Sequence, residues 1–144
     1  MPTLTDPLGW FTLQFPEGWT CATEDCVSTL VSPAGIGVLY VSGGRHVGGP
    51  QSGFGGAEFL LRFLEHIGIH AGPADVQDWQ GIGCRMYSYR RVDDGRYWRY
   101  WSITDDETAL LVSYTCAAED RDAEAAAVED MVRSVRLYGS TAAS

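Results

Sequence analysis

Two pairs of metal-ligating residue types stand out in the chain. Cys21-x4-Cys26 brings two thiols close in sequence, and His66-x3-His70 brings two imidazoles. Thiolate with imidazole suits zinc, and histidines four apart can share one helix face. The gap between the pairs is far wider than in a zinc finger, and Gly68 breaks the helical pattern between the histidines. A helix-end His66, a loop His70 and two thiols near a hairpin are the simpler account, so no metal is expected. Cys21 and Cys26 are near enough to bridge, but a reducing compartment would keep them as thiols. Cys84 and Cys116 fall inside strand-like runs and read as small core residues.

Residues 43–56 form a glycine-rich stretch with Arg45, His46 and Phe54, read as a loop before a helix start. Such a loop can cradle an anion with its backbone N–H groups, Arg45 assisting. Its glycine spacing matches no phosphate-binding fingerprint. No serine or cysteine sits in a nucleophile-elbow pattern, and Asp93-Asp94 and Asp105-Asp106 read as turn residues rather than as an acid–base pair. The chain is therefore expected to be non-catalytic and to carry no cofactor. The alternative is a small-molecule-binding or enzymatic domain built on loop 43–56.

The densest run of recognition-type residues lies between Ile82 and Cys116. Three stretches crowded with aromatic and β-branched residues are separated by Asp93-Asp94-Gly95 and by residues 104–108, the pattern of a three-strand antiparallel meander. A two-residue Asp94-Gly95 turn would set Arg90 opposite Arg99, and facing like charges weaken a ladder. A three-residue turn instead sets Arg91 opposite Tyr97, Arg90 opposite Trp98, Tyr89 opposite Arg99 and Tyr87 opposite Trp101, giving each guanidinium an aromatic partner. That register is preferred here. It gathers Tyr87, Tyr89, Arg91, Tyr97, Arg99 and Trp101 on one sheet face, and tyrosine, tryptophan and arginine are the side chains that dominate binding hot spots. The competing account is that helices cover this face and the arginine stems run to its edge. Alternation does not decide it, because both faces are partly apolar.

Composition narrows the function classes. At 144 residues with a net charge of −9, the chain is long enough to bury a core without staples and lacks the cationic footprint that nucleic acid requires. The acidity is compatible with a basic protein partner. All ten basic residues are arginine, which removes a Walker-type phosphate loop and Schiff-base lysine chemistry. No run approaches the length of a membrane span. The first residues have neither a basic region nor an apolar segment, so a cytoplasmic location is expected.

The elements that must position these residues follow from local patterning. Strands are expected at residues 10–15, 20–22, 27–32 and 36–42, separated by Pro16-Glu17-Gly18 and Pro33-Ala34-Gly35. Ala57, Leu60, Leu61, Leu64 and Ile67 recur at helical spacing. Residues 70–78 read as a loop. An acidic, alanine-rich helix begins after Cys116, with Ala125, Val128, Met131, Val132 and Val135 as its buried stripe. Residues 1–138 are expected to form one domain, with 139–144 a frayed tail.

With these pieces in order, the chain resembles the PsbP-like fold family. The likeness rests on a first strand running into Phe15-Pro16-Glu17-Gly18-Trp19, on Trp79-Gln80-Gly81 leading to an aromatic strand ending at Tyr87-Ser88-Tyr89, and on a last helix closing with Met131-Val132-Arg133-Ser134-Val135. That family includes the photosystem II extrinsic protein, a Ran-binding import factor, the DcrB lipoproteins and the Eag effector chaperones. The resemblance implies an α+β domain, an antiparallel sheet of five to seven strands packed with two main helices in an α/β/α sandwich. Its members mostly bind other proteins, which implies an adaptor, effector-chaperone or toxin-neutralising role. A homodimer through the aromatic face is a further arrangement the pattern allows.

Overall fold

The computed structural model describes residues 2–45, 57–81, 83–105 and 108–138. Among these described residues ten strands and two α-helices follow one another: β1 (Thr3–Thr5), β2 (Phe11–Gln14), β3 (Thr20–Glu24), β4 (Val27–Val31), β5 (Val38–Arg45), α1 (Glu58–His66), β6 (Gln77–Gln80), β7 (Arg85–Asp93), β8 (Arg96–Thr104), β9 (Thr108–Ala117), α2 (Ala125–Arg133) and β10 (Arg136–Leu137). A seven-stranded antiparallel sheet runs β3-β4-β5-β9-β8-β7-β6, and a three-stranded sheet runs β1-β2-β10. This is the expected α+β class. The small second sheet, and β6, whose first two residues fall in the stretch expected to be a loop, are additions to the sequence pattern. So is the late start of α2: the segment after Cys116 first makes a 3-10 turn at Ala118–Asp120.

The β7–β8 hairpin corrects the preferred register. Asp93 pairs with Arg96, Arg91 with Trp98, Arg90 with Arg99 and Tyr87 with Ser102. The turn is the two-residue Asp94-Gly95 loop, with φ of 52° and 76°, the backbone a type I′ hairpin turn demands. The local turn chemistry therefore prevails over the repulsion between Arg90 and Arg99, because a distant segment neutralises Arg99. At the next turn Thr104 pairs with Ala109, which sends Leu110, Val112 and Tyr114 to the same side as Ile103, Trp101 and Arg99.

The two faces of the large sheet bury different clusters. On one face Leu30, Leu39, Val41, Met86, Trp101, Ile103, Leu110, Val112 and Tyr114 pack with Phe11, Leu13, Val128, Met131 and Val132, so β2 and α2 cover it. On the other, Leu60, Leu64 and Ile69 from α1 and the residues after it close over Tyr100, with Phe63, Tyr87, Tyr89, Trp98 and Leu111 at the margin. The apolar stripe of α1 at helical spacing meets the sheet as the pattern requires. Among the described residues no helix is long and apolar enough to cross a membrane. The 139–144 tail lies outside the described residues.

Candidate functional site

The observed register splits the six candidate contact residues between opposite faces. Tyr97, Arg99 and Trp101 lie on the α2 side and are core, Trp101 at 0% exposure and Arg99 at 6%. Tyr87, Tyr89 and Arg91 lie on the α1 side and are half-buried. A single surface made of all six does not exist. Shifting a strand by one residue moves every side chain to the other face, and that shift separates the expected site from the observed one.

On the α2 side the buried arginine is held by stacking and by one ion pair, while its Nε has no hydrogen-bond partner among the described residues. The Arg99 guanidinium carbon sits 4.9 Å from the Trp79 ring centroid and 4.7 Å from that of Trp101, while Arg133 stacks on Trp79 at 4.6 Å. Trp79 meets Trp101 edge-on, with centroids 5.8 Å apart. Arg99 Nη1 donates to Glu129 Oε2 at 2.8 Å. A desolvated cation over aromatic rings contributes about 2 kcal/mol, and Glu129 supplies the countercharge without which the buried guanidinium would be costly.

A second polar node, invisible in the sequence, joins three segments. Glu124, just before α2, is 8% exposed. Its carboxylate accepts from Tyr114 Oη at 2.7 Å, from the Gly37 N–H at 3.2 Å, and through a short bond from Ser32 Oγ. Burial, then the hydrogen bond to the Glu124 carboxylate, pushes the Tyr114 phenol above its usual range. A Cβ at position 37 would lie 2.5 Å from Tyr114 Cζ, so only glycine fits there. From sequence, Glu124 was one acid among several on an alanine-rich helix.

The α1 side of the sheet is only partly covered. One row across it reads Arg91, Trp98, Thr115, Val38, Val31, and the next reads Tyr89, Tyr100, Ser113, Tyr40, Thr29. Trp98 and Tyr100 stack with an interplanar angle of 3° and centroids 6.1 Å apart. Phe63 of α1 closes on Tyr100, with centroids 5.9 Å apart. Beyond α1, Trp98, Val38, Val31 and Thr29 remain half-buried, and Tyr40 is 37% exposed. This open strip holds Trp98 and Tyr40, which the sequence pattern does not assign to a site.

Sequence comparison finds no matching protein-family model and no matching curated protein. Structure comparison does find likenesses. The solution structure of cyanobacterial PsbP (CyanoP) from Synechocystis sp. PCC 6803 superposes with a TM-score of 0.68 at 14% identity, over 95% of this chain and 92% of that one. The fold is PsbP-like. A crystal structure from Bacteroides thetaiotaomicron VPI-5482 aligns with a TM-score of 0.65 at 15% identity, over 96% of this chain and 49% of that one. The present chain thus spans about half of that protein's length.

Within the PsbP-like framework the remaining sequence candidates separate. Gly43, Gly44 and Arg45 are not loop residues but the end of β5, paired with Leu110, Ala109 and Thr108. A Cβ on Gly43 would lie 2.5 Å from Leu110 Cδ2, so this glycine lets β5 pack closely on the core. His46 and Phe54 lie outside the described residues. His66 and His70 are exposed, and among the described residues no group of three or more histidines, cysteines or acids could hold a metal ion. All four cysteines are free thiols. Burial raises the thiol pKa of Cys21, Cys84 and Cys116, which makes them poor nucleophiles.

Proposed function

We propose that this PsbP-like domain is a non-catalytic module that binds another polypeptide, and that its contact surface is the strip of sheet α1 leaves open. The observation that carries this reading is the continuity of Tyr89, Arg91, Trp98, Ser113, Val38 and Tyr40 across four adjacent strands on one face. The strip combines flat aromatic area with an arginine whose side chain is 33% exposed. Partly exposed tyrosine, tryptophan and arginine on a rigid sheet offer large contact area at low ordering cost, which is the composition of binding hot spots.

The test is affinity capture from extract of the native host, using the wild type beside a Tyr40→Ser, Trp98→Ala variant of matched thermal midpoint. A partner retained by the wild type and lost by the variant supports the reading. A partner retained by both moves the contact surface elsewhere. Arg99→Ala and Trp101→Ala are unsuited as surface probes, since both side chains are core.

A further inference from the structure

We infer that the open strip takes an acidic polypeptide segment, a carboxylate meeting Arg96 while an apolar or aromatic neighbour lies on Trp98 and Val38; this rests on the binding reading above. Arg96 sits two residues before Trp98 on β8, on the same face. Its Nε donates to Thr115 Oγ1 at 2.8 Å, and Thr115 is itself 3% exposed in the middle of the strip. That bond anchors one edge of the guanidinium to the sheet, while the residue remains exposed. Among the described residues no carboxylate forms an ion pair with the Arg96 side chain, because Asp93, its ladder partner, is turned to Arg91 instead. Arg91, directly across from Trp98, has Asp93 at 3.2 Å. One aspartate thus serves the two arginines beside Trp98, which leaves a net positive charge there, on the guanidinium that Thr115 holds.

A planar guanidinium held by a neutral hydroxyl is pre-organised for a carboxylate, which it can meet with two parallel hydrogen bonds. The net charge of −9 alone would favour a basic partner. That field, however, is screened beyond about 8 Å at physiological ionic strength, so the groups at the contact decide its chemistry.

The test is panning of a phage-displayed random dodecapeptide library against the full chain, with Arg96→Glu and Tyr40→Asp variants in parallel. Both substitutions are at exposed positions, and near-UV circular dichroism checks that each variant is folded. Enriched peptides are expected to place Asp or Glu beside an aromatic or aliphatic residue. A synthetic copy should lose about tenfold in affinity on Arg96→Glu and regain it when its acid is exchanged for arginine. Enriched peptides that are basic or neutral at that position, or that bind Arg96→Glu as well as wild type, overturn the acidic-segment inference while leaving the surface intact, provided Tyr40→Asp abolishes them. If the wild type enriches nothing that Tyr40→Asp does not, the binding reading and the inference fall together.

Discussion

Arg99 on β8 and Glu129 on α2 form a partly buried ion pair, Nη1 to Oε2 at 2.8 Å, at the point where α2 crosses the sheet. The pair explains how Arg90 and Arg99 can face each other in the β7–β8 ladder. Arg90 extends into solvent, whereas Arg99 turns under Trp79 and finds its countercharge on a segment thirty residues away in sequence. Removing Glu129 leaves the buried Arg99 guanidinium without its countercharge, whereas Glu129, partly exposed and 3.9 Å from Arg133, keeps a second partner when Arg99 is removed.

Glu129→Ala is accordingly expected to destabilise the fold by about 2–3 kcal/mol, more than Arg99→Met, which removes the charge and keeps apolar volume. The double variant should cost less than the sum of the singles. Urea unfolding of the four species measures this coupling, and strictly additive values would show that the pair contributes no net energy.

The raised Tyr114 pKa has a definite sign in stability. The folded state holds the phenolic proton more tightly than the unfolded chain, whose tyrosines titrate near pH ~10. Its contribution is therefore complete below that pH and is lost as pH rises above it towards the folded value. Stability should fall by up to about 1.4 kcal/mol per pH unit per proton on this limb, with Tyr97 and Tyr100, also raised by burial, adding to it. Tyr114→Phe should flatten the limb while costing about 1 kcal/mol at neutral pH. Denaturant titrations from pH 8 to about pH 11.5 provide the comparison, and an unchanged slope would remove Tyr114 from this role.

Gly37→Ala tests the same node sterically. Its Cβ would press on the Tyr114 ring, which Glu124 holds in place, and overpacking of this kind costs about 1–3 kcal/mol. Thermal melts should show a clear loss in the wild-type background and little additional loss in Tyr114→Ala. Equal losses in both backgrounds would point to a cause other than the ring.

The β3–β4 turn carries Asp25 and Cys26 at φ of 50° and 67°, a left-handed pair that favours glycine at the second position. Cys26→Gly should stabilise the domain by about 0.5–1 kcal/mol, the relief of the left-handed penalty less the added chain entropy of glycine. A lowered midpoint in chemical denaturation would contradict this.

Much of the architecture was legible along the chain because it depends on neighbours. The Leu60, Leu64 stripe of α1, the Val128, Met131, Val132 stripe of α2, and the β-prone runs around Val41 and Leu110 all announce their element type through periodicity. Asp94-Gly95 likewise announces its turn, while the Arg90–Arg99 repulsion argues for another register only until Glu129 is in view. The candidate site was less legible. The pattern points to Tyr87, Tyr89 and Arg91, and it does not point to Trp98 and Tyr40. Their membership depends on a one-residue register and on which face α1 covers.

The sequence by itself determined the α+β class, the order of strands and helices, and the presence of an aromatic, arginine-rich meander, since propensity and period are local properties. Only the tertiary structure decided that Trp101 and Arg99 are core, that Glu124 is a buried acceptor joining Ser32, Gly37 and Tyr114, and that Arg96 and Trp98 share an open strip. In a strand with apolar residues on both faces, alternation carries no information about which face is covered. That choice is made by the helix that arrives and by the charge it brings.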